Sequence, residues 1–324
     1  NGADTYRYTL GDGNDVITDF SYFSDNDRIV LTDQNAADVT FSQNDGHDLV
    51  ITMNNGDTLT VIDHFANVQE DMEQIEFADG TVLDFAGIST KAINDQNGSG
   101  DDLVLGSFGN DVFSGGLGND TLNGGNGADT YRYTLGDGND VITDFSYFSD
   151  NDRIVLTDQN AADVTFSQND GHDLVITMNN GDTLTVIDHF ANVQEDMEQI
   201  EFADGTVLDS AGIAAKSLIG GMGNDVIKGF NSNDRLLGKA GDDLLTGGGG
   251  ADTFQFNAGF GNDTISDFED GVDMIQFNGG PDSFADLTIS EIDGNTEIVS
   301  DDGASVTLTN VSSALLSQDD FLFQ

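Results

Sequence analysis

Residues 97–143 decide the fold: NGSGDDLVL (97–105), GSFGNDVFS (106–114), GGLGNDTLN (115–123), GGNGADTYR (124–132) and, after a two-residue slip, LGDGNDVIT (135–143). The same nine-residue period returns as GGMGNDVIK (220–228), GFNSNDRLL (229–237), GKAGDDLLT (238–246), GGGGADTFQ (247–255) and, after a second slip, AGFGNDTIS (258–266). In every frame a run of mostly small residues leads to an aspartate at position six and an apolar residue at position eight. Each repeat therefore supplies a tight turn and then a short strand with one side chain facing inward. The inward set is Val104, Phe113, Leu122, Tyr131 and Ile142, then Ile227, Leu236, Leu245, Phe254 and Ile265. Two repeats make one coil, so alternate repeats stack on the same side at about 4.8 Å, the strand spacing of a sheet.

Outside this run, the composition agrees with a turn-rich, packed β-protein. The 324 residues hold 60 acids against 9 Lys and Arg, a formal net charge of −51. Fifty-one of the acids are aspartate, beside 40 glycines, 22 phenylalanines and one proline, Pro281. Acidic disordered chains favour Glu, Pro and Lys instead. Aspartate with glycine points to turns and to hard-cation ligation. A salt-adapted surface is the bland reading of the same charge, and the period-nine placement of the aspartates is what argues against it. So negative a chain is a poor partner for nucleic acid or an anionic membrane, whose binding needs Lys and Arg. No apolar run reaches the ~20 residues of a membrane span. With no cysteine there are neither disulfides nor thiolate metal sites.

A longer repeat overlies the short one. Residues 1–84 recur unchanged at 126–209, and GGADTFQFNAGFGNDTISDFEDGVDMIQF from Gly249 is a diverged third copy. This predicts three units. The first spans 1–93, opens in mid-repeat at Asn1 and has lost its ladder. The second spans 94–217, with a ladder at 97–143 and a cap at 144–217. The third spans 218–324, with a ladder at 220–266 and a cap at 267–324. In the caps Leu49, Ile51 and Met53 alternate with polar residues, Asn55-Gly56 supplies a hairpin turn, and Leu59 and Val61 resume the alternation. The third unit repeats the plan with Ile298, Asp302-Gly303, Val306 and Leu308. Val68, Met72 and Ile75 allow one short helix.

The nonapeptides resemble the GGxGxDxUx repeat of the hemolysin-type calcium-binding (RTX) family, and the caps resemble the domain that commonly flanks it. The resemblance implies an all-β fold of parallel β-roll segments alternating with small antiparallel capping modules that close the open ends of the roll. It also implies several bound Ca2+ ions. Stacked aspartates ~5 Å apart repel by about 1 kcal/mol in water and a few times more at a dielectric of ~20, and a divalent ion between each pair converts that repulsion into ligation. Calcium takes six to eight oxygens in flexible geometry, whereas magnesium keeps its water.

In the family each ion takes carbonyls at positions two and four plus the aspartate of one turn. The turn one coil on adds carbonyls at positions one and three and its own aspartate. In this sequence one site is then Gly98, Gly100, Asp102, Gly115, Leu117 and Asp120, and its neighbour is Ser107, Gly109, Asp111, Gly124, Asn126 and Asp129. The later ladder gives Gly221, Gly223, Asp225, Gly238, Ala240 and Asp243, and then Phe230, Ser232, Asp234, Gly247, Gly249 and Asp252. Gly116, Gly118 and Gly241 belong to the same metal-binding turns, and a further site per ladder reaches Asp140 or Asp263. Phe230, Ser232 and Lys239 replace glycines, so the sites they feed are expected to be weaker. Unit one keeps only Asp4 and Asp15, an incomplete site. Asp19, Asp144 and Asp267 are either extra ligands or strand-end caps.

No catalytic signature stands out. His47, His64, His172 and His189 form no zinc-protease pattern and are expected at strand edges or hairpins. GxG runs such as Gly136-Asp137-Gly138 lack a dinucleotide-binding context. Phe145, Phe148 and Phe190 suit core packing better than sugar stacking. The tail Gln318–Gln324 resembles a type I secretion signal, with a last strand as the plain alternative. These features predict a non-catalytic extracellular scaffold or adhesin that folds on calcium after export. Its partners would be calcium ions, the type I secretion machinery, and cell-surface glycans or copies of itself. The alternative is the secretion and folding module of an exoenzyme (a protease, lipase or polysaccharide-active enzyme), and a third is a carbohydrate-binding accessory module.

Overall fold

The computed structural model describes residues 2–19, 26–44, 47–66, 72–144, 151–169, 172–191 and 197–324. By internal contacts the chain divides into two units, Asn1–Ala161 with Asn179–Val207, and Ala162–Met178 with Leu208–Gln324.

In the first unit the ladder 97–143 forms two parallel sheets of short strands. One runs through Leu103–Leu105, Thr121–Asn123, Asp140–Ile142 and Thr183–Val186. The other runs through Val112–Phe113, Thr130–Tyr133, Arg153–Leu156 and Gln199–Phe202. Val104, Phe113, Leu122, Tyr131 and Ile142 are all buried, while position-seven Leu103 and Val112 face solvent. Burying each such large side chain stabilises by about 1.5–3 kcal/mol, so the period-nine apolar residue is what holds successive coils together. The parallel stacking does not stop with the nonapeptides. Arg153–Leu156, Gln199–Phe202 and Thr183–Val186 add further strands without any glycine-rich turn.

The first copy of the cap shows the rest of the module. Thr5–Tyr8, Arg28–Leu31 and Gln74–Glu76 are parallel neighbours. Asp15–Ile17 pairs in parallel with Thr58–Val61, which then leads antiparallel to Asp48–Met53 and Val39–Asn44. The expected alternation is present: Leu49, Ile51, Met53, Leu59 and Val61 are buried, and Gly56 turns the hairpin at φ +92°. The helix lies elsewhere than the spacing predicts. Ile75 belongs to the strand Gln74–Glu76, and Val68 lies outside the described residues. The helix is Phe85–Gln96 (α1), started by Asp84, whose Oδ1 accepts the Gly87 N–H at 2.9 Å. Tertiary packing of Ile75 against the parallel sheet overrides a three-residue helical spacing.

Hairpin and helix close the opening coil of the ladder. α1 packs on Leu103–Leu105 and Val112–Phe113. Gln43 Nε2 donates to the carbonyls of Leu105 and Gly106 at 3.2 and 2.8 Å, and Gln96 Oε1 accepts the Leu105 N–H at 3.3 Å. Exposed sheet-edge groups are thereby paired.

The second unit repeats the plan. Val226–Lys228, Leu244–Thr246, Asn262–Ile265 and Ser305–Leu308 are parallel, and Ser305–Leu308 continues antiparallel into Asn295–Val299 and Thr288–Ile292. The other sheet holds Arg235–Leu237, Thr253–Asn257, Met274–Asn278 and Phe321–Phe323. The hairpin 165–177 and the helix Ser210–Ser217 (α2) cover its opening coil, where Gln168 Nε2 donates to Lys228 O at 2.8 Å. The tail is a strand, with Phe321 opposite Ile275.

Candidate metal centre

Position-six aspartates carry an unusual hydrogen-bond pattern. One oxygen of each inner-coil aspartate accepts the backbone N–H of the aspartate one coil earlier. Asp120 Oδ1 takes Asp102 N–H at 2.8 Å, Asp140 Oδ1 takes Asp120 N–H at 2.9 Å, and Asp129 Oδ1 takes Asp111 N–H at 2.7 Å. The later ladder repeats this with Asp243 on Asp225, Asp263 on Asp243 and Asp252 on Asp234, at 2.8, 2.8 and 2.9 Å. The strand ladder thus fixes each carboxylate in the gap between turns. In the opening coils Asp102, Asp111, Asp225 and Asp234 turn the second oxygen to their own turn, onto the N–H of Gly98, Ser107, Gly221 and Phe230.

The second oxygens of Asp120, Asp129, Asp243 and Asp263 are buried and have no hydrogen-bond partner. A buried carboxylate oxygen left unpaired is costly, and a cation is the natural partner. Burial first, and neighbouring carboxylates second, push these acids upward: Asp129 to about 9, Asp140 and Asp263 to about 7 and Asp252 to about 6. Burial likewise raises Asp111, Asp120 and Asp243.

Backbone carbonyls face the same gaps. Gly100 O lies 2.3 Å from where a Cβ on Gly118 would stand, Gly109 O 2.5 Å from that of Gly127, and Gly223 O 2.3 Å from that of Gly241. Gly98 O and Ser107 O approach Gly116 and Gly125 in the same way, and Phe230 O and Ser232 O approach Gly248 and Gly250. Pointing back, Gly124 O, Gly238 O and Gly247 O approach Gly106, Gly220 and Gly229. Carbonyls at positions one, two and four of these turns thus closely approach the turn of the neighbouring coil. Position-three Leu117, Asn126, Ala240 and Gly249 occupy the same turns. Position one is glycine for a local reason: an added Cβ at Gly115 or Gly124 would stand 2.3 Å from the Oδ2 of Asp120 or Asp129. Hard oxygens, buried charge and orphaned carboxylate atoms together fit calcium.

The departures from glycine separate. Phe230 and Ser232 lie in an opening coil whose backbone is not left-handed, so they cost no backbone strain there, although Ser232 Oγ donates to Asp234 Oδ1 at 2.8 Å. Lys239 sits at φ +76°, where its equivalents Gly116 and Gly125 have +84° and +86°. The residues Asp19, Asp144 and Asp267 separate too. Asp267 accepts the N–H groups of Gly247 and Gly248, each at 2.8 Å, and caps a turn. Asp19 and Asp144 join other carboxylates in groups whose ligand atoms lie within 4.8 Å of one another, Asp4–Asp19–Asp27 and Asp129–Asp144–Asp152.

Sequence reasoning missed Asp27, Asp152 and Asp273. Their signal is present: Asp27-Arg28-Ile29, Asp152-Arg153-Ile154 and Asp273-Met274-Ile275 keep the D-x-U ending of the nonapeptide without its glycine turn. Asp152 Oδ1 takes the Asp129 N–H at 2.7 Å, and Glu198 Oε2 takes the Asp152 N–H at 2.7 Å, so the carboxylate string runs on through the cap.

The histidines are not at strand edges throughout. His64 and His189 are buried, accept the Met72 and Met197 N–H groups through Nδ1, and are depressed by burial to about 3 and 4. Phe190 packs edge-on against His189, while Phe145 and Phe148 lie outside the described residues. No helix among the described residues is long and apolar enough to cross a membrane.

Family models match both parts of the repeating plan. The RTX calcium-binding nonapeptide repeat model matches residues 96–131 and 228–265, and the haemolysin-type calcium binding protein related domain matches 48–86 and 173–211. No curated protein sequence matches. Among solved structures, an extracellular lipase from Serratia marcescens is similar at 23% identity over 71% of this chain and 41% of the lipase, with TM-score 0.29. A subunit of a mannuronan C5-epimerase from Azotobacter vinelandii is similar at 27% identity over 32% of this chain and 80% of that one, with TM-score 0.24. The chain therefore carries two blocks of RTX calcium-binding nonapeptide repeats, each preceded by a haemolysin-type calcium binding protein related domain, and it binds Ca2+.

Proposed function

We propose that this chain is a calcium-folded extracellular scaffold, a non-catalytic repeat region of a secreted protein that presents or attaches a surface. The observation carrying the calcium part is the set of buried, unpartnered oxygens on Asp120, Asp129, Asp243 and Asp263. Without an ion these carboxylates oppose the fold; with one they tie successive coils together. At the low calcium of a cytoplasm the chain stays open and threadable, and at the millimolar calcium outside it closes. Support for a scaffold, rather than an exoenzyme's folding module, comes from the unchanged recurrence of residues 1–84 at 126–209, the pattern of an array of interchangeable units.

Limited proteolysis with and without chelator tests the folding part: protection in calcium and rapid cleavage in chelator are expected, and equal cleavage would contradict it. Assays of ester, peptide and uronan turnover by the same chain test the scaffold part. No turnover is expected, and calcium-dependent turnover abolished by Asp120→Ala would overturn it.

A further inference from the structure

We propose that the cavity between α2 and the opening coil of the later ladder binds a small acidic amphiphile, an apolar chain ending in one carboxylate, such as a fatty acid. The cavity measures about 510 Å3, a size that suits a small ligand. Ala211, Ala214 and Ala215 of α2 line it together with Phe230 and Leu237 of the ladder, and Arg235 and Gln255 stand among them.

Departures from the repeat gather at this one place. Ala214 and Ala215 stand where α1 has Ser89 and Thr90, and Phe230 and Leu237 stand where the ladder 97–143 has Ser107 and Ser114. Four hydroxyl side chains are thus replaced by apolar ones, and all four replacements line the cavity. The cover is also shorter, since α2 has eight residues against twelve in α1. Ser89 and Ser107 are buried, whereas Ala214 and Phe230 are only half-buried, and Ile219 in the same lining is 38% exposed. Apolar groups gathered at an incompletely covered site mark a place where an apolar body is to be buried.

The head group follows from the one cation in the lining. Arg235 stands where the earlier ladder has Val112, and Gln255 where it has Arg132. Arg235 Nε donates to Gln255 Oε1 at 2.6 Å, and the guanidinium makes no ion pair among the described residues. That bond steadies the planar fork and leaves its terminal nitrogens for a carboxylate, which a guanidinium grips through two parallel hydrogen bonds. The acid in the lining does not compete. Asp234 Oδ2 accepts the Phe230 N–H, and its Oδ1 accepts the Ser232 hydroxyl.

The test titrates cis-parinaric acid, a fluorescent fatty acid, into the full chain in saturating calcium, with dodecanoate and dodecanol as competitors. One probe per chain is expected, displaced by dodecanoate at concentrations severalfold below those dodecanol requires. No saturable binding, or equal displacement by the two, overturns the proposal. Arg235→Gln should abolish the preference for dodecanoate while dodecanol still displaces the probe, and a preference that persists removes Arg235 from the site. Ala215 is exposed on α2 and tolerates a charge. Ala215→Lys should therefore tighten probe binding and Ala215→Glu weaken it, severalfold apart, with unchanged far-UV circular dichroism. Equal affinities in these two variants would put the probe elsewhere and overturn the site. A dimer in sedimentation that Ala215→Glu disperses would give the cavity to a second copy of the chain, which also overturns it.

Discussion

Asp120 sits between two gaps of its ladder, with Oδ1 on the Asp102 N–H, its own N–H on Asp140 and Oδ2 buried without a partner. Asp111 belongs to an opening coil, and its Oδ2 is held by Ser107. Asp120→Ala is therefore expected to raise the calcium midpoint of folding more than Asp111→Ala. Equal midpoints would contradict the stacking. Lys239 holds a left-handed backbone that favours glycine, in a turn that carries glycine in the other repeats. Lys239→Gly should stabilise the calcium-loaded form by about 1 kcal/mol through relief of the backbone strain alone, seen as a higher unfolding midpoint and a lower calcium requirement. The position-six aspartates and the glycines of the turns were legible from the period. Asp27, Asp152 and Asp273 were not, because they keep the D-x-U ending but drop the glycines on which the period rests.

At the scale of elements, inward position-eight residues and the hairpins around Gly56 and Gly303 follow from side-chain period and turn chemistry. The helix position does not. Asp84 caps the helix and Ile88, Ala92 and Ile93 form its buried face, a pattern to which the spacing of Val68, Met72 and Ile75 does not point. Asp84→Ala should cost about 1 kcal/mol through loss of the N-cap, and it should loosen the opening coil that α1 covers. Hydrogen exchange at Leu103–Leu105 and Val112–Phe113 reports this, and exchange unchanged there would mean the helix does not close the coil. Gly127→Ala is a sharper case. At φ +119°, with Gly109 O 2.5 Å from the added Cβ, it should abolish folding of the ladder 97–143 in calcium, as judged by loss of protease protection.

For the whole molecule, fifty-one aspartates make protons and calcium competitors. Asp129, Asp140, Asp252 and Asp263 are raised in the folded state, chiefly by burial. A group raised on folding binds protons better folded than unfolded. Its favourable contribution is complete below the unfolded value of about 4 and is lost as pH rises through the folded value. In chelator the chain should therefore gain β-structure as pH falls from 8 toward 5, across the window set by folded values of about 6 to 9. In calcium the order reverses, and the calcium midpoint should rise as the same carboxylates take up protons. A calcium midpoint independent of pH would remove these aspartates from the site.

The central claim is that calcium between stacked turns holds the fold, and the most direct measurement is far-UV circular dichroism through a calcium titration at neutral pH, with magnesium as control. The account predicts a cooperative gain of β-signal at sub-millimolar to millimolar calcium and none with magnesium. A chain fully folded in chelator, unchanged by calcium, would contradict it.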